Sequence, residues 1–159
     1  MAQVIAIHQS RVHKHVYQEI YKWTLLPYWQ ARTGRKAAEE KLKQEAYLKP
    51  PNETREILPL STQLLPSTFA ARSAAVRLRT RIAGLRTLEA IRMHAAANGG
   101  KLPQRLADIS DVPVPINPAT GKSFEYRVEG RRATLDIPAE PAKPANRGWR
   151  LIISVSPKR

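Results

Sequence analysis

The feature that most constrains this chain is residues 67–98, which read STFAARSAAVRLRTRIAGLRTLEAIRMHAAAN. Helix-favouring residues dominate the stretch, and only Gly84 weakens the pattern. Ser67 or Thr68 can cap the amino end of a helix. Asn98-Gly99-Gly100 is a fitting stop, because Gly and Asn adopt the left-handed conformation at little cost. The sequence therefore predicts one long helix over residues 67–98.

Six arginines and a single acid lie in this helix, and the arginines fall on both sides of an apolar stripe at 100° per residue. Flanking arginines are typical of coiled-coil edge positions, which select the partner, and their alkyl stems can also cover apolar surface. Three interpretations stay open: a docked helix with a solvated basic rim, an acidic protein partner, or nucleic acid or anionic lipid. The candidate contacts to an anion or partner are Arg72, Arg79 and Arg86 on one side and Arg77, Arg81 and Arg92 on the other, around a stripe of Ala75, Leu78, Ile82 and Leu85.

The charge of the whole chain supports an anionic partner. It contains 27 Lys and Arg against 13 Asp and Glu, a formal net charge of +14. A charge this large favours nucleic acid, an acidic membrane surface or an acidic protein. The absence of cysteine excludes disulfides and thiolate metal sites.

The amino-terminal part predicts helices and a linker. Apolar residues recur at helical spacing over residues 3–26, and Pro27 is expected to end or kink that helix. Residues 31–48 favour a second, polar helix. We therefore divide the sequence into an N-terminal helical region, 1–48, a Pro-rich link, 49–66, and a module, 67–159.

An aromatic cluster, YKWTLLPYW, lies at residues 21–29. It suits a local core between helices, or an exposed anchor for a partner or a membrane interface. The candidate anchor residues are Trp23, Tyr28 and Trp29.

Beyond residue 100 the apolar spacing changes from helical to alternating. Residues 103–109 predict one or two helical turns, and alternation predicts strands near residues 123–128, 133–137 and 149–155. The expected fold class is α+β, with N-terminal helices and one long central helix packed on a small three-stranded antiparallel β-meander. The expected core consists of Leu78, Ile82, Leu85, Leu88, Ile91, Leu102, Leu106, Ile109, Phe124, Tyr126, Val128, Leu135, Trp149, Leu151 and Ile153.

The stretch INPATGKS, residues 116–123, ends like a phosphate-binding loop. Such a loop needs an earlier glycine where this chain has Ile116, and Pro118 supplies no N–H. A strand pattern follows, where a phosphate loop requires a helix. The stretch instead predicts a turn in which Gly121 takes a positive φ.

No other constellation indicates catalysis. The chain lacks a recognisable nucleophile elbow or paired acids, and His15 with Glu19 has no evident third metal ligand. We expect no catalytic residue, no cofactor, no metal and no small-molecule substrate. The start resembles neither a signal peptide nor a spanning helix, so we expect a soluble or peripheral protein, or a fragment of a longer one.

The runs IRMHAAANGGKLPQRLADI and NPATGKSFEYRVEG resemble a known pattern. Over residues 75–137 the chain is similar to a C-terminal segment of uncharacterised bacterial proteins, and more weakly to the pseudopilin-type globular domain of type II secretion. Pseudopilins begin with an apolar membrane helix and a processing site, which this sequence does not show. The resemblance implies a helix-plus-meander module with a scaffolding role and no catalytic residues. Matching positions are Gly100, Pro103, Leu106, Ile109, Asn117, Pro118, Gly121, Phe124 and Tyr126.

The sequence thus predicts a non-enzymatic protein–protein interaction or scaffolding module of an envelope or secretion-like assembly. Its partner would be an acidic protein or the rest of that assembly. The alternative is a basic protein that binds nucleic acid or an anionic membrane through the Arg-rich helix at residues 72–92.

Overall fold

Within the residues that the structure describes, the chain forms two long helices, one 3₁₀ turn and a three-stranded antiparallel sheet, which confirms the predicted α+β class. The chain divides into two compact units, Met1–Ser73 and Ala74–Arg159. The division inferred from the sequence, at residues 48 and 66, stays a prediction. The computed structural model describes residues 14, 18–20, 22–46, 60–138 and 148–155.

In the first unit, Pro27 separates two helical runs. The described residues before it, 14, 18–20 and 22–24, are helical, and the chain bends at residues 25 and 26. Helix α1 spans Tyr28–Ala46. The Pro27 carbonyl oxygen accepts the N–H groups of Gln30 and Ala31, at 3.1 and 3.0 Å, so α1 begins before the predicted start at residue 31. The rest of the first predicted helix, residues 47–48 of the second predicted helix and residues 49–59 of the predicted link lie outside the described residues.

Helix α2 spans Leu60–Ala97 and contains the boundary between the two units. The helix begins before the predicted start at Ser67. Pro66 removes one backbone hydrogen bond but does not end the helix. Its end agrees with the prediction. Gly99 has a φ of 63°, and the Gly100 N–H donates to the Ala95 carbonyl oxygen at 2.7 Å, the closing bond of a Schellman motif.

The second unit carries a sheet that follows the order of the chain. Strand β1 spans Glu125–Glu129, β2 spans Arg132–Ile137 and β3 spans Trp149–Ser154, with β2 in the centre and both pairs antiparallel. Leu135 is opposite Tyr126 on one side and Leu151 on the other. The predicted meander is therefore confirmed, and Gly130, with a φ of 61°, lies in the turn between β1 and β2.

Between α2 and the sheet, the chain forms one 3₁₀ turn, Leu106–Asp108, and the predicted turn at residues 116–123. Asn117 is buried and accepts the Gly121 N–H at its carbonyl oxygen, at 2.8 Å, and the Ala119 N–H at Oδ1, at 2.9 Å. Gly121 has a φ of 70°, as expected. Strand β1 follows soon after, so INPATGKS is the turn that leads into the sheet.

The core of the second unit lies between α2 and one face of the sheet. Most of its members were predicted, but the helix contributes mainly small residues at positions that the sequence did not single out. Gly84 explains the close approach, because a Cβ at this position would collide with Ile137 Cδ1 and lie 2.8 Å from its Cγ1. The buried cluster is Ala83, Ala90, Ile91, Ala95, Leu102, Leu106, Ile109, Phe124, Ala133, Leu135 and Ile137, with Tyr126, Val128, Leu151 and Ile153 partly buried against it.

Four expected core residues were wrongly assigned. The side chains of Leu78, Ile82, Leu85 and Trp149 are exposed. On α2 the cause is geometric: buried Thr80, Ala83 and Thr87 occupy the face opposite the large apolar side chains. The pattern of large apolar residues therefore indicated the face of α2 that points to solvent.

Candidate functional site

The candidate site is the apolar stripe of α2, which we define as Leu78, Ile82 and Leu85. Their exposed fractions are 59, 42 and 46%. At 100° per residue the three positions fall within an arc of about 60°, so they form one continuous strip. An exposed strip of large aliphatic side chains indicates an interaction surface more often than a single exposed leucine does.

Arginines border the stripe on both sides. Arg79 and Arg86 are exposed and lie two helical turns apart on one border. On the other border, the exposed Arg81 places its guanidinium carbon 4.6 Å from the centroid of the Trp149 ring. This cation–π contact fixes Arg81 beside the stripe.

The stripe continues towards the end of α2 as a polar pair. Glu89 lies four residues beyond Leu85, in line with the stripe. Its Oε1 accepts a hydrogen bond from Arg92 Nη1 at 3.1 Å, and both side chains are well exposed. Arg92 is therefore engaged locally, and Glu89 is a carboxylate within an otherwise apolar line.

The remaining two candidate arginines do not border an open stripe. Arg72 Nη2 donates to the carbonyl oxygens of Thr24 and Leu26, at 3.4 and 2.9 Å, so it joins α2 to the aromatic segment within the first unit. Arg77 is half-buried. The structure thus brings Arg79, Arg81 and Arg86 together with the stripe and gives Arg72 a packing contact.

The aromatic candidates divide between packing and exposure. Tyr28 is buried, and the Trp23 ring lies so close to Gly34 that a Cβ there would collide with it. The Arg35 guanidinium lies 5.3 Å from the Tyr28 ring centroid. Trp29 remains exposed. Two of the three aromatic residues therefore belong to the packing of the first unit, and an anchoring role is open to Trp29.

The shifted pKa values in the second unit belong to groups with local structural partners. A hydrogen bond from Arg150 lowers the pKa of Asp136, with Nε donating to Oδ1 at 2.7 Å. Hydrogen bonds from Arg105 likewise lower the pKa of Asp108. Burial raises the pKa of Tyr126 to about 12.

The described residues offer neither a cluster of metal ligands nor a membrane-spanning helix. They contain no group of three or more His, Asp or Glu that could hold a metal ion. They also contain no helix that is both long enough and apolar enough to cross a membrane.

Comparison with known proteins adds no family. No protein-family model matches this chain, and neither a curated protein nor a solved structure matches it. The similarity to the pseudopilin-type domain therefore stays a prediction.

Sequence reasoning missed two parts of the site. The spacing of three and four residues through Leu78, Ile82 and Leu85 continues to Glu89, and this signal could have been read from the sequence. The contact between Arg81 and Trp149 joins α2 to β3. No sequence signal predicts that contact, because the helix and strand are distant along the chain.

Proposed function

We propose that this chain is a non-enzymatic protein–protein interaction module that binds a partner through the stripe of α2. The observation that carries the proposal is the exposure of Leu78, Ile82 and Leu85 on a helix whose opposite face packs in a core. A helix that is apolar on a second face has a surface that a partner can bury. The most suitable partner by charge is an acidic protein, since three arginines border the stripe and the chain carries +14.

The distribution of charge favours a protein over a nucleic acid. A helix that follows a phosphate backbone concentrates its cations on one face. Here Arg79 and Arg86 are separated from Arg81 by the apolar stripe. A duplex would have to cover exposed leucines to contact both borders.

The stripe also suits a protein better than a lipid surface. Its line of exposed apolar side chains is short and leads into Glu89, whose carboxylate would have to enter the lipid boundary with the leucines. Removing this carboxylate and its partner Arg92 from water is costly, because both charges lose their hydration. In a protein interface, a polar residue in such a line can set the register of the partner.

The resemblance of residues 75–137 to the pseudopilin-type domain supports a role within a larger assembly. The helix-plus-meander arrangement of the second unit fits that resemblance. We therefore propose that the module serves as a scaffold in an envelope or secretion-like assembly.

The test measures binding of a designed helical peptide to the full chain by fluorescence anisotropy. The peptide spans about three heptads, with Leu and Ile along its seam and uncharged Gln at its edges. We expect saturable binding that Leu78→Ser weakens at least about tenfold, because Leu78, at 59%, has the most exposed side chain of the stripe. The matched control is Ile152→Ser, which removes a 63% exposed side chain from the opposite face of the sheet and should leave binding unchanged.

Thermal unfolding of both variants separates a binding defect from misfolding. Neither substitution removes a buried side chain, so both variants should remain folded at the temperature of the binding assay. The proposal fails if Leu78→Ser and Ile152→Ser bind the peptide equally well. It also fails if the chain binds duplex DNA or phosphatidylserine vesicles in a way that Arg79→Gln abolishes and Leu78→Ser does not change.

A further inference from the structure

We infer that the occupant of the stripe is an amphipathic helix with carboxylates on both of its edges, and not a second copy of this chain. The inference rests on the proposed function and specifies the partner of the same surface. It follows from the spacing of the stripe and from the charges that border it.

The spacing selects a helix as the binding element. Leu78, Ile82, Leu85 and Glu89 follow one another at intervals of four, three and four residues. This alternation is the seam of a coiled coil, into which the side chains of a facing helix insert. An extended strand repeats every two residues, so its side chains would not match this interval.

The border positions select the charge of that helix. In heptad terms, Arg79 and Arg86 occupy the edge position that follows the seam residue, and Arg81 occupies the edge position that precedes the next one. Residues at these two positions contact the edges of the facing helix and determine which partner is accepted. Three arginines at the edge positions of α2 therefore require acidic side chains at the edges of the facing helix.

A second copy of the chain cannot meet this requirement. If two copies paired through the stripe in a parallel arrangement, Arg81 of one would face Arg86 of the other. In an antiparallel arrangement, Arg79 and Arg86 of one copy would face the same two arginines of the other copy. Like charges directly opposite one another oppose association, so both arrangements are disfavoured.

The cation–π contact of Arg81 strengthens the preference for a carboxylate on the Arg81 side of the stripe. Arg81 is already held over the Trp149 ring at 4.6 Å from its centroid. A carboxylate that binds a pre-positioned guanidinium loses less side-chain entropy than one that binds a freely rotating side chain. Arg81 is therefore the border residue whose replacement should matter most.

The experiment compares three peptides that share one apolar seam and differ at the edges: Glu, Gln or Lys. The full chain is titrated with each peptide at low salt. We expect the Glu peptide to bind at least about tenfold more tightly than the Gln peptide, and the Lys peptide to bind most weakly. The preference should shrink at about 0.5 M NaCl, because salt screens exposed pairs.

A charge-reversed variant tests the assignment of the borders. Arg79→Glu combined with Arg86→Glu should invert the preference of that border from Glu to Lys and improve binding of the Lys peptide. Arg131→Glu combined with Arg132→Glu, two exposed arginines at the start of β2, is the matched control, since it makes the same change in charge away from the stripe. Trp149→Leu should reduce the preference for the Glu peptide while leaving binding of the Gln peptide unchanged.

The outcomes distinguish the two proposals. If all three peptides bind equally and Leu78→Ser weakens each of them, the interaction surface stands and the acidic-helix assignment is overturned. If sedimentation velocity shows a dimer that Leu78→Ser dissociates, the occupant is a second copy and the assignment is wrong. If no peptide binds, both the assignment and the proposed function are rejected.

Discussion

Replacing two isoleucines of α2 by alanine tests which face of the helix belongs to the core. Ile82→Ala and Ile91→Ala remove the same three carbon atoms from the same helix. Ile82 is 42% exposed and Ile91 is 0% exposed. The gain in helix propensity from alanine is common to both substitutions, so it cancels in the comparison.

The structure predicts different losses in the free energy of unfolding for the two variants. Three fully buried carbon atoms correspond to about 2.4 kcal/mol of transfer free energy. The cavity left at Ile91 should raise its total cost to about 3–4 kcal/mol. At Ile82 only a little over half of the side chain is shielded and no closed cavity forms, so the cost should be about 1.4 kcal/mol or less. We expect Ile91→Ala to be more destabilising by about 2 kcal/mol.

Urea denaturation followed by far-UV circular dichroism measures the free energy of unfolding of each variant. Leu78→Ala is the control, because it truncates another stripe residue and should resemble Ile82→Ala. Equal losses at Ile82 and Ile91, or a larger loss at Ile82, would refute the assignment of the faces. The stripe would then be part of the core, and the docking surface proposed above would not exist.

Three further predictions concern the second unit. Gly84→Ala should destabilise the chain by up to about 2 kcal/mol despite the higher helix propensity of alanine, because its Cβ would overlap Ile137; combining it with Ile137→Val, which deletes the colliding Cδ1, should recover part of the loss in urea denaturation. The pKa of Asp136 lies below its ordinary value of 3.8 in the folded chain, so ionised Asp136 stabilises the fold above that value, and this stabilisation is lost as the pH falls through the folded pKa. In an NMR titration Arg150→Gln should raise the pKa of Asp136. An unchanged pKa would contradict the hydrogen bond from Arg150 as the cause of the shift. Burial raises the Tyr126 pKa from 10.0 to about 12. The contribution of Tyr126 to the free energy of unfolding should therefore be complete below pH 10 and decline between pH 10 and 12. Tyr126→Phe should flatten this decline in a stability–pH profile and cost about 1 kcal/mol at neutral pH, since the hydroxyl donates a hydrogen bond to the Pro103 carbonyl oxygen.

Local features of the sequence were sufficient to predict much of the second unit. The end of α2 follows from Asn98-Gly99-Gly100, because residues with access to the left-handed conformation close a helix wherever they occur. The turn at Asn117 and Gly121 is equally local, since its hydrogen bonds join residues within a few positions of one another. The strands follow from alternating apolar residues, which describe a sheet with one buried face.

The sequence was a poorer guide to the start of α2. Pro66 looked like the end of a linker, yet the helix runs through it from Leu60. A proline disfavours helix by an amount that the surrounding structure can offset. The local penalty alone therefore could not locate the boundary.

By itself the sequence determined that α2 is a helix and that its stripe lies between two rows of arginines, because helical geometry alone places residues around an axis. Only the tertiary structure decided which face the sheet covers. The sheet packs where Ala83, Gly84 and Ala90 let the two backbones come close, since dense packing depends on shape as well as on apolar area. That choice leaves Leu78, Ile82 and Leu85 exposed, and it turned an expected part of the core into the proposed surface for a partner.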